Sequence, residues 1–375
     1  MQAVVLVGGE GTRLRPLTST LPKPVVPLVD RPFIRYMIDW LARHGVDEVV
    51  LAGGFMAGSL RDALGEGGDG GPRLRYLEEP EPRGTAGAIR FAAEHLADRF
   101  LALNGDVLTD LDLTALIAQH EETGAKATLA LYPVSDPSAY GLVRRKPSGE
   151  ILEFLEKPSA DQIDTDEISA GAYVLERSVL ELIPPDRQVS IEREVFPRLV
   201  GDGLYGKRLG GYWMDIGTPD RYLKASWDIL ERNVETEVGE RLGADYQLVE
   251  EGVEVAAGAR AIPPVLIESG TRIAAGARVG ALAVVGRDCE IGERAVIERA
   301  VLHRGCKIAA GAVVRGAILA AGVEVGEGAQ VEGGAIIGEG ARIGAGNQLA
   351  AGVRVFPGVE LPAHAIAFRP PEAGR

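Results

Sequence analysis

Residues 2–24 read QAVVLVGGEGTRLRPLTSTLPKP, an apolar run followed at once by a loop rich in glycine, proline and basic side chains. The apolar run predicts a buried strand. The loop carries Arg13, Arg15 and Lys23 against a single acid, Glu10. The whole chain, by contrast, has 40 basic and 54 acidic residues and a net charge of −14. A local excess of positive charge in an acidic chain predicts that this loop binds an anionic ligand.

Strand-like and helix-like segments alternate from residue 1 to about residue 235. QAVVLV, DEVVLAG and FLALNGD are typical of strands, and FIRYMIDWLARHG and LTALIAQHEETG of helices. This alternation predicts an α/β domain with a Rossmann-like, mostly parallel sheet covered by helices on both faces. Ligands bind at the carboxyl ends of the strands in such sheets. We therefore expect the basic loop and NGD (104–106) at the binding edge.

Residues 273–361 follow a different rule, because an aliphatic residue recurs there every six positions, sixteen times with two one-residue slips. Small residues, among them Cys289 and Cys306, lie four positions after most of these aliphatic residues. A six-residue repeat predicts a parallel β-helix, here of the left-handed type, with three repeats in each triangular coil and about five coils. The two cysteines are then expected to be structural residues that point inward.

The two periodicities divide the chain into domains. We predict a catalytic domain over residues 1–235, an acidic linker over 236–252 and the β-helix over 253–375.

Composition excludes several classes of protein. The negative net charge argues against general nucleic-acid binding, and every long apolar run is interrupted by glycine or charge, which argues against a membrane helix. The first motif begins at Gly8 and leaves no room for a signal peptide, while two cysteines fit a reducing compartment. We expect a cytoplasmic protein without nucleic-acid or membrane partners.

Two familiar phosphate-binding loops do not fit residues 8–14. The segment GGEGTRL lacks the third glycine of the dinucleotide fingerprint, and no Lys-Ser or Lys-Thr pair follows as in the ATPase loop. A purely structural turn is the remaining alternative. Against it, Lys23 lies between Pro22 and Pro24, which restrict the backbone and favour an extended conformation at Lys23. A restricted backbone of this kind favours a lysine that binds a phosphate.

The signature GGEGTRLRPLT followed by PKP closely resembles that of the nucleoside-diphosphate-sugar pyrophosphorylases, or sugar-1-phosphate nucleotidyltransferases. The resemblance covers essentially all of residues 1–230, and many members also carry a hexapeptide tail. It continues through EEPEPRGTAGA (78–88), LNGDV (103–107), YGLV (140–143), FLEKP (154–158), ISAGAYV (168–174), SIEREVFP (190–197) and YWMDIGTP (212–219). It implies an enzyme of class EC 2.7.7 in which a sugar 1-phosphate oxygen attacks the α-phosphorus of a nucleoside triphosphate and pyrophosphate leaves.

This chemistry needs no general base, because the nucleophile is already an anion, and catalysis then depends on positioning and charge neutralisation. On the resemblance, Arg13 grips the leaving phosphates and Lys23 neutralises the α-phosphate, while Asp106 and Asp215 hold Mg²⁺. These four residues are the expected catalytic set. The residues expected to contact the nucleotide are Gly8, Gly9, Gly11, Thr12, Glu79, Pro82 and Gly84. Those expected to contact the sugar phosphate are Gly141, Glu156, Lys157, Ser169 and Gly171.

The choice of base is expected to depend on Glu79. A carboxylate only accepts hydrogen bonds, and guanine offers two adjacent donors, whereas thymine and uracil mix donors with acceptors. The whole pattern most resembles the mannose-1-phosphate guanylyltransferase branch, which implies GTP and mannose 1-phosphate as substrates and GDP-mannose as product. A thymidylyl- or uridylyltransferase acting on glucose 1-phosphate is the alternative. Many relatives carry Asn where this chain has Ser169, which puts the sugar contact there in doubt.

Two rival classes remain open. A non-catalytic regulatory subunit that binds nucleotide sugar would be expected to lack core residues such as Arg13 or Lys23, which are present. An acyltransferase built on the β-helix would need a histidine base, and the repeats offer only His303 and His364 without a surrounding motif. We expect instead that the tail packs against another subunit of a homo-oligomer or steadies the first domain.

Overall fold

The computed structural model describes residues 1–54, 57–68 and 70–367. These residues form two compact units. Unit 1 comprises Met1–Glu10 and Ile34–Asp215, and unit 2 comprises Gly11–Phe33 and the chain from Ile216 onward. Most of the basic loop therefore belongs to the same unit as the C-terminal repeats. The predicted domain limits, 1–235, 236–252 and 253–375, divide the chain into consecutive segments, whereas each unit combines separate segments. Those limits stay a prediction.

The α-helices of the described residues are α1 Phe33–Arg43, α2 Ala57–Leu64, α3 Gly84–Phe91, α4 Leu113–Thr123, α5 Phe196–Leu199, α6 Pro219–Leu230 and α7 Glu237–Arg241. A π-helix, Ile191–Val195, runs directly into α5. Helix α1 ends at Arg43, two residues before Gly45, which adopts φ 77°, and α4 ends at Thr123, directly before Gly124, with φ 60°. Glycine adopts this left-handed conformation without steric cost, so these positions favour the end of a helix. No helix among the described residues is both long enough and apolar enough to cross a membrane.

The main sheet of unit 1 has a parallel part and an antiparallel part. Its strands are β1 Gln2–Leu6, β4 Glu48–Gly53, β5 Arg73–Glu78, β6 Arg99–Asn104, β8 Ala127–Pro133, β9 Gly141–Arg145, β10 Ile151–Glu156, β11 Glu167–Glu176 and β12 Leu204–Arg208. The order is β10-β9-β11-β6-β1-β4-β5, with β8 paired to β11 and β12. Strands β6, β1, β4 and β5 are parallel, and β11, β9 and β10 are antiparallel to their neighbours.

The predicted Rossmann-like sheet is confirmed in the parallel part, whose central strands carry buried apolar runs, such as Val49–Ala52 in β4. The antiparallel pairing of β9 and β10 follows from the short connection between them. Strands β9 and β10 are joined by a short turn over residues 146–150, too short for the crossover that a parallel pair requires. The chain therefore reverses direction at that edge of the sheet.

Unit 2 contains the predicted parallel β-helix, whose three sheets are here called faces A, B and C. Face A comprises β14 Gln247–Val249, β17 Val265–Ile267, β20 Ala283–Val285, β23 Val301–Leu302, β26 Ile318–Leu319, β29 Ile336–Ile337 and β32 Arg354–Val355. Face B comprises β15 Glu254–Val255, β18 Arg272–Ile273, β21 Glu290–Ile291, β24 Lys307–Ile308, β27 Glu324–Val325, β30 Arg342–Ile343 and β33 Glu360–Leu361. Face C comprises β16 Arg260–Ile262, β19 Arg278–Gly280, β22 Val296–Glu298, β25 Val313–Arg315, β28 Gln330–Glu332 and β31 Gln348–Leu349.

The expected number of coils, about five, is too low. Over the described residues, faces A and B each have seven strands and face C has six. The six-residue step already passes through Val249, Val255 and Ala261, but Ala261 is small and Val255 is exposed, so the pattern is weak there. Cys289 and Cys306 lie fully buried in the interior of the β-helix, as expected for structural residues.

Candidate active site

The two predicted metal ligands lie at the same end of a small antiparallel sheet in unit 1. Strand β7, Val107–Thr109, pairs with β13, Trp213–Asp215, and Asp215 is opposite Val107. Asp106 immediately precedes Val107, so the pairing brings the backbones of Asp106 and Asp215 close together. Among the described residues, no group of three or more His, Cys, Asp or Glu side chains could hold a metal. Two carboxylates suit Mg²⁺, which usually keeps water and substrate phosphate as its other ligands.

Gly105 places Asp106 beside the end of β1. The Gly105 backbone N–H donates to the Leu6 carbonyl at 2.9 Å. A Cβ on Gly105 would lie 2.6 Å from the Leu6 carbonyl oxygen, so only glycine fits at this position. Gly8 and Gly9 follow β1 with exposed backbone. The structure therefore brings Gly8, Gly9 and Asp106 to one edge of the parallel sheet, where the alternation of elements predicts a ligand.

Glu79 lies at the carboxyl end of β5 and is only 7% exposed. Its backbone N–H donates to the Gly53 carbonyl at 2.9 Å, and its Oε2 accepts from the Arg83 backbone N–H at 3.1 Å. Burial raises the pKa of the Glu79 carboxyl, and the hydrogen bond from Arg83 partly offsets this rise. The loop between them contains Pro82, which is exposed. The Glu79 side chain is therefore largely shielded from water.

Gly84 begins α3 directly after this loop, with φ 69°. A Cβ on Gly84 would lie 2.6 Å from the Val189 carbonyl oxygen, and both the contact and the left-handed backbone exclude other residues. Gly84 thus fixes the point at which the Glu79 loop enters the helix.

On the predicted sugar side, Gly141 and Glu156 are opposite each other in the β9–β10 pair. A Cβ on Gly141 would lie 2.4 Å from the Phe154 ring and 3.2 Å from Glu156 Oε2. Lys157 follows as an exposed residue with φ 55°, a conformation that non-glycine residues adopt rarely and often at functional sites. These three residues form one group.

Ser169 and Gly171 lie on β11, at an irregularity in its pairing with β8. The Ser169 hydroxyl donates to the Tyr173 hydroxyl at 3.4 Å. Gly171 has φ 74°, and its Cβ would lie 2.8 Å from Asn104 Nδ2, next to Gly105. The bulge therefore connects the sugar side to the edge that carries Asp106.

Trp213, on β13, supports the same bulge. Its indole N–H donates to the Ala170 carbonyl at 2.8 Å, and its ring contacts Tyr132 and Tyr140 at centroid distances of 5.7 and 5.3 Å. The tryptophan next to the Asp215 motif thus packs against the strand that carries Ser169 and Gly171.

Sequence reasoning missed Glu192, which lies on the π-helix. Glu192 Oε2 accepts hydrogen bonds from the Thr85 hydroxyl at 2.8 Å and the Ser190 hydroxyl at 2.7 Å. Burial and then the charge of Glu192 raise the pKa of Glu156, so the two carboxylates are close enough to interact. Thr85 also accepts from the Ile191 backbone N–H at 2.8 Å. The signal was available, since Thr85 and Glu192 belong to two recognised motifs, but only the fold joins them.

Unit 2 holds the other predicted phosphate-binding residues. Gly11 has φ 63°, and a Cβ there would lie 3.0 Å from Lys23 Cβ, so the two ends of the loop are in contact. Thr12 and Arg13 begin a 3₁₀ turn, Thr12–Leu14, and are exposed. The Thr18 hydroxyl donates to the Gly11 carbonyl at 2.8 Å, which closes the loop.

The expectation of an extended backbone at Lys23 is wrong. Lys23 opens a 3₁₀ turn, Lys23–Val25, in which the Val26 N–H donates to the Lys23 carbonyl at 3.2 Å. Pro24 is tolerated there because the first residues of a helical turn need no N–H donor. Pro22 adopts the extended conformation instead, with ψ 145°.

Comparisons with known proteins show the family to which the chain belongs. A model of the nucleotidyl transferase family matches residues 2–232, and a model of the LbH domain of EIF2B subunit epsilon matches residues 245–349. The chain is 38% identical to the mannose-1-phosphate guanylyltransferase of Mycobacterium tuberculosis, over 80% of this chain and 79% of the relative. It is 36% identical to the probable mannose-1-phosphate guanylyltransferase 1 of Oryza sativa subsp. japonica, over 78% of this chain and 75% of the relative.

Among solved structures, HddC from Yersinia pseudotuberculosis, complexed with GMP-PN, matches with a TM-score of 0.52 and 28% identity, over 60% of this chain and 97% of that chain. The prediction drawn from the signature is confirmed. Because the family model covers residues 2–232 and both relatives are similar over most of their length, the chain belongs to the nucleotidyl transferase family.

Proposed function

We propose that this enzyme transfers the guanylyl group of GTP to mannose 1-phosphate, giving GDP-mannose and pyrophosphate. The observation that carries the choice of base is the buried carboxylate of Glu79, held in place by the Arg83 N–H. An ionised carboxylate accepts the two adjacent donors of guanine, N1–H and the 2-amino group. The names of the similar proteins from M. tuberculosis and rice support the same substrates.

Charge neutralisation is the proposed basis of catalysis, because two anionic groups must meet in line. The backbone N–H groups of Gly8, Gly9, Gly11 and Thr12 line the triphosphate, and Arg13 binds the β- and γ-phosphates as they leave. Lys23 balances the charge that builds at the α-phosphate. Enzymes of this kind generally use a divalent metal ion. We assign it as Mg²⁺ held by Asp106 and Asp215, where it supplies further positive charge to the phosphates.

The sugar 1-phosphate is proposed to bind on the strands that carry Gly141 and Gly171. Lys157 is exposed at the end of β10 and pairs with the phosphate, while Glu156 accepts hydrogen bonds from sugar hydroxyls. The negative charge of Glu192 contributes to the raised pKa of Glu156. The Thr85 hydroxyl donates a hydrogen bond that holds Glu192 in place. The hydroxyl of Ser169 is directed to Tyr173, which leaves the sugar to Glu156 and the neighbouring backbone.

Initial rates of pyrophosphate release, with each of GTP, dTTP, UTP and ATP against mannose 1-phosphate and glucose 1-phosphate, test this proposal. GTP with mannose 1-phosphate is expected to give the largest kcat/KM. Equal or larger values for dTTP or UTP with glucose 1-phosphate would assign the enzyme to the thymidylyl- or uridylyltransferase alternative.

Replacing Glu79 by Gln is expected to lower kcat/KM for GTP by about 100-fold, because an amide donor then faces a guanine donor and buried polar groups lose their partners. The ratio of the dTTP value to the GTP value should rise at the same time. The matched control is Glu78→Gln, since Glu78 is the last residue of β5 and the exposed neighbour of Glu79. An unchanged preference for GTP in Glu79→Gln would show that Glu79 does not contact the base.

Replacing Thr85 by Val is expected to raise KM for the sugar 1-phosphate about tenfold, because Glu192 loses a hydrogen bond worth about 1–1.5 kcal/mol. KM for GTP should change much less. Thr85→Ser keeps the hydroxyl and is expected to stay close to the wild-type values. Equal increases in KM for both substrates would contradict a specific role of the Thr85–Glu192 hydrogen bond on the sugar side.

A further inference from the structure

One side of the β-helix carries an apolar stripe that points outward and is nevertheless buried. On face A, the residues between the interior positions are in register, and each is at most 1% exposed: Leu266, Val284, Val301, Ile318 and Ile336. Side chains alternate along a strand, and the flanking residues, such as Val285 and Leu302, belong to the interior core. The corresponding outward positions on face B are charged residues such as Arg272 and Arg342, which are exposed. The outward side of face A is therefore covered by other parts of the chain.

One direct hydrogen bond, and a second link relayed through Tyr222, connect residues beside this stripe to segment 11–33. Ile336 is in register with Arg354, whose Nη1 donates to the Arg15 carbonyl at 2.9 Å. His303 follows β23, and its Nε2 lies 3.0 Å from the Tyr222 hydroxyl. That hydroxyl donates to the Pro27 carbonyl, so His303 must be the donor to Tyr222. Burial lowers the pKa of His303 to about 4, which keeps the ring neutral, with one N–H to donate.

Further contacts within unit 2 tie down the other end of the same segment. Arg241 of α7 pairs with Asp30 at 2.8 Å, and Arg31 pairs with Glu237 at 2.8 Å. Before α1 begins at Phe33, the segment contains only single 3₁₀ turns and a two-residue strand pair, β2 Pro27–Leu28 with β3 Arg31–Pro32. Elements this short do not hold their conformation alone. The segment therefore depends on the surface to which it is bound.

We infer that face A of the β-helix positions the phosphate-binding segment 11–33, and that Arg354, His303 and Tyr222 are positioning residues for Arg13 and Lys23. Arg354 holds the carbonyl two residues after Arg13, and Tyr222 holds the carbonyl four residues after Lys23. A shift of about 1 Å in such groups can lower a rate by about 100-fold. This inference rests on the proposed function. It assigns the β-helix an indirect part in that reaction, in which the β-helix does not contact the substrate.

The test combines hydrogen–deuterium exchange with kinetics on the full-length protein. Arg354 is exposed, so Arg354→Ala leaves the core intact. We expect exchange in peptides covering residues 11–28 to rise several-fold and kcat to fall about tenfold, with KM for the sugar 1-phosphate unchanged. Tyr222→Phe should act in the same direction, and Arg354→Lys should recover part of the loss. Arg342→Ala is the matched control, since it breaks comparable ion pairs to Glu324 and Glu360 on face B.

Exchange in 11–28 that stays at the wild-type level in both Arg354→Ala and Tyr222→Phe would overturn the inference. A fall in kcat with unchanged exchange would overturn it as well, because the segment would then not have moved. A wild-type protein without nucleotidyl transfer would refute the proposed function instead, and the exchange data would still show whether face A orders the segment.

Discussion

Asp106→Asn is expected to lower kcat for nucleotidyl transfer by about 10³-fold, the order of loss seen when a group that stabilises transition-state charge is removed. The strand pairing that sets Asp215 opposite Val107 places Asp106 beside it. Removing one negative charge from this pair weakens its hold on Mg²⁺. The Mg²⁺ concentration for half-maximal rate should therefore rise together with the loss of kcat.

Asp112→Asn is a suitable control for this substitution. Asp112 caps α4 by accepting from the Ala115 N–H at 3.0 Å, and Asn serves as well as Asp in such a cap. The control should keep wild-type kcat and Mg²⁺ dependence. Wild-type activity with unchanged Mg²⁺ dependence in Asp106→Asn would contradict the proposed metal site.

Lys23→Met is expected to lower kcat by about 10²–10³-fold, because the positive charge at the α-phosphate is lost while the apolar stem is kept. Lys23 is only 8% exposed, and the Gly11 backbone is packed against it. Single-turnover measurements at saturating GTP and sugar 1-phosphate separate this loss in the chemical step from weaker binding.

The control for Lys23→Met is Lys146→Met, which removes an exposed lysine paired with Glu150 and should leave kcat unchanged. Thermal unfolding of Lys23→Met close to that of the wild type would show that the loss is not caused by unfolding. Wild-type kcat in a folded Lys23→Met protein would contradict the proposed role of Lys23 at the α-phosphate.

Much of the fold could be predicted from the sequence because its periodicities are strong. The alternation of strand-like and helix-like segments predicted the parallel part of the sheet, and the six-residue step predicted the β-helix. The antiparallel strands were not predicted. The short turn over residues 146–150 joins β9 to β10, but which strands pair with each other cannot be read from the sequence. The first coils were missed because small or exposed residues such as Ala261 and Val255 replace the large inward aliphatic ones.

The candidate site, like the fold, could be predicted only in part. Individual residues such as Asp106, Glu79 and Lys157 were predicted from motifs, but their surroundings depend on long-range contacts. The Thr85–Glu192 hydrogen bond joins residues distant in sequence, and the Arg354 contact to Arg15 joins residues from opposite ends of the chain. Local backbone rules were also overridden at Lys23, which forms a turn. Homo-oligomerisation and a cytoplasmic location stay predictions.

The most direct test of the central claim follows the phosphates of GTP labelled separately at the α and γ positions, in a reaction with mannose 1-phosphate and Mg²⁺. The proposed reaction predicts that the α label appears in GDP-mannose and that the γ label leaves as pyrophosphate, in equal amounts. Release of the γ label as orthophosphate, or an α label that never reaches a sugar nucleotide, would contradict guanylyl transfer by this protein.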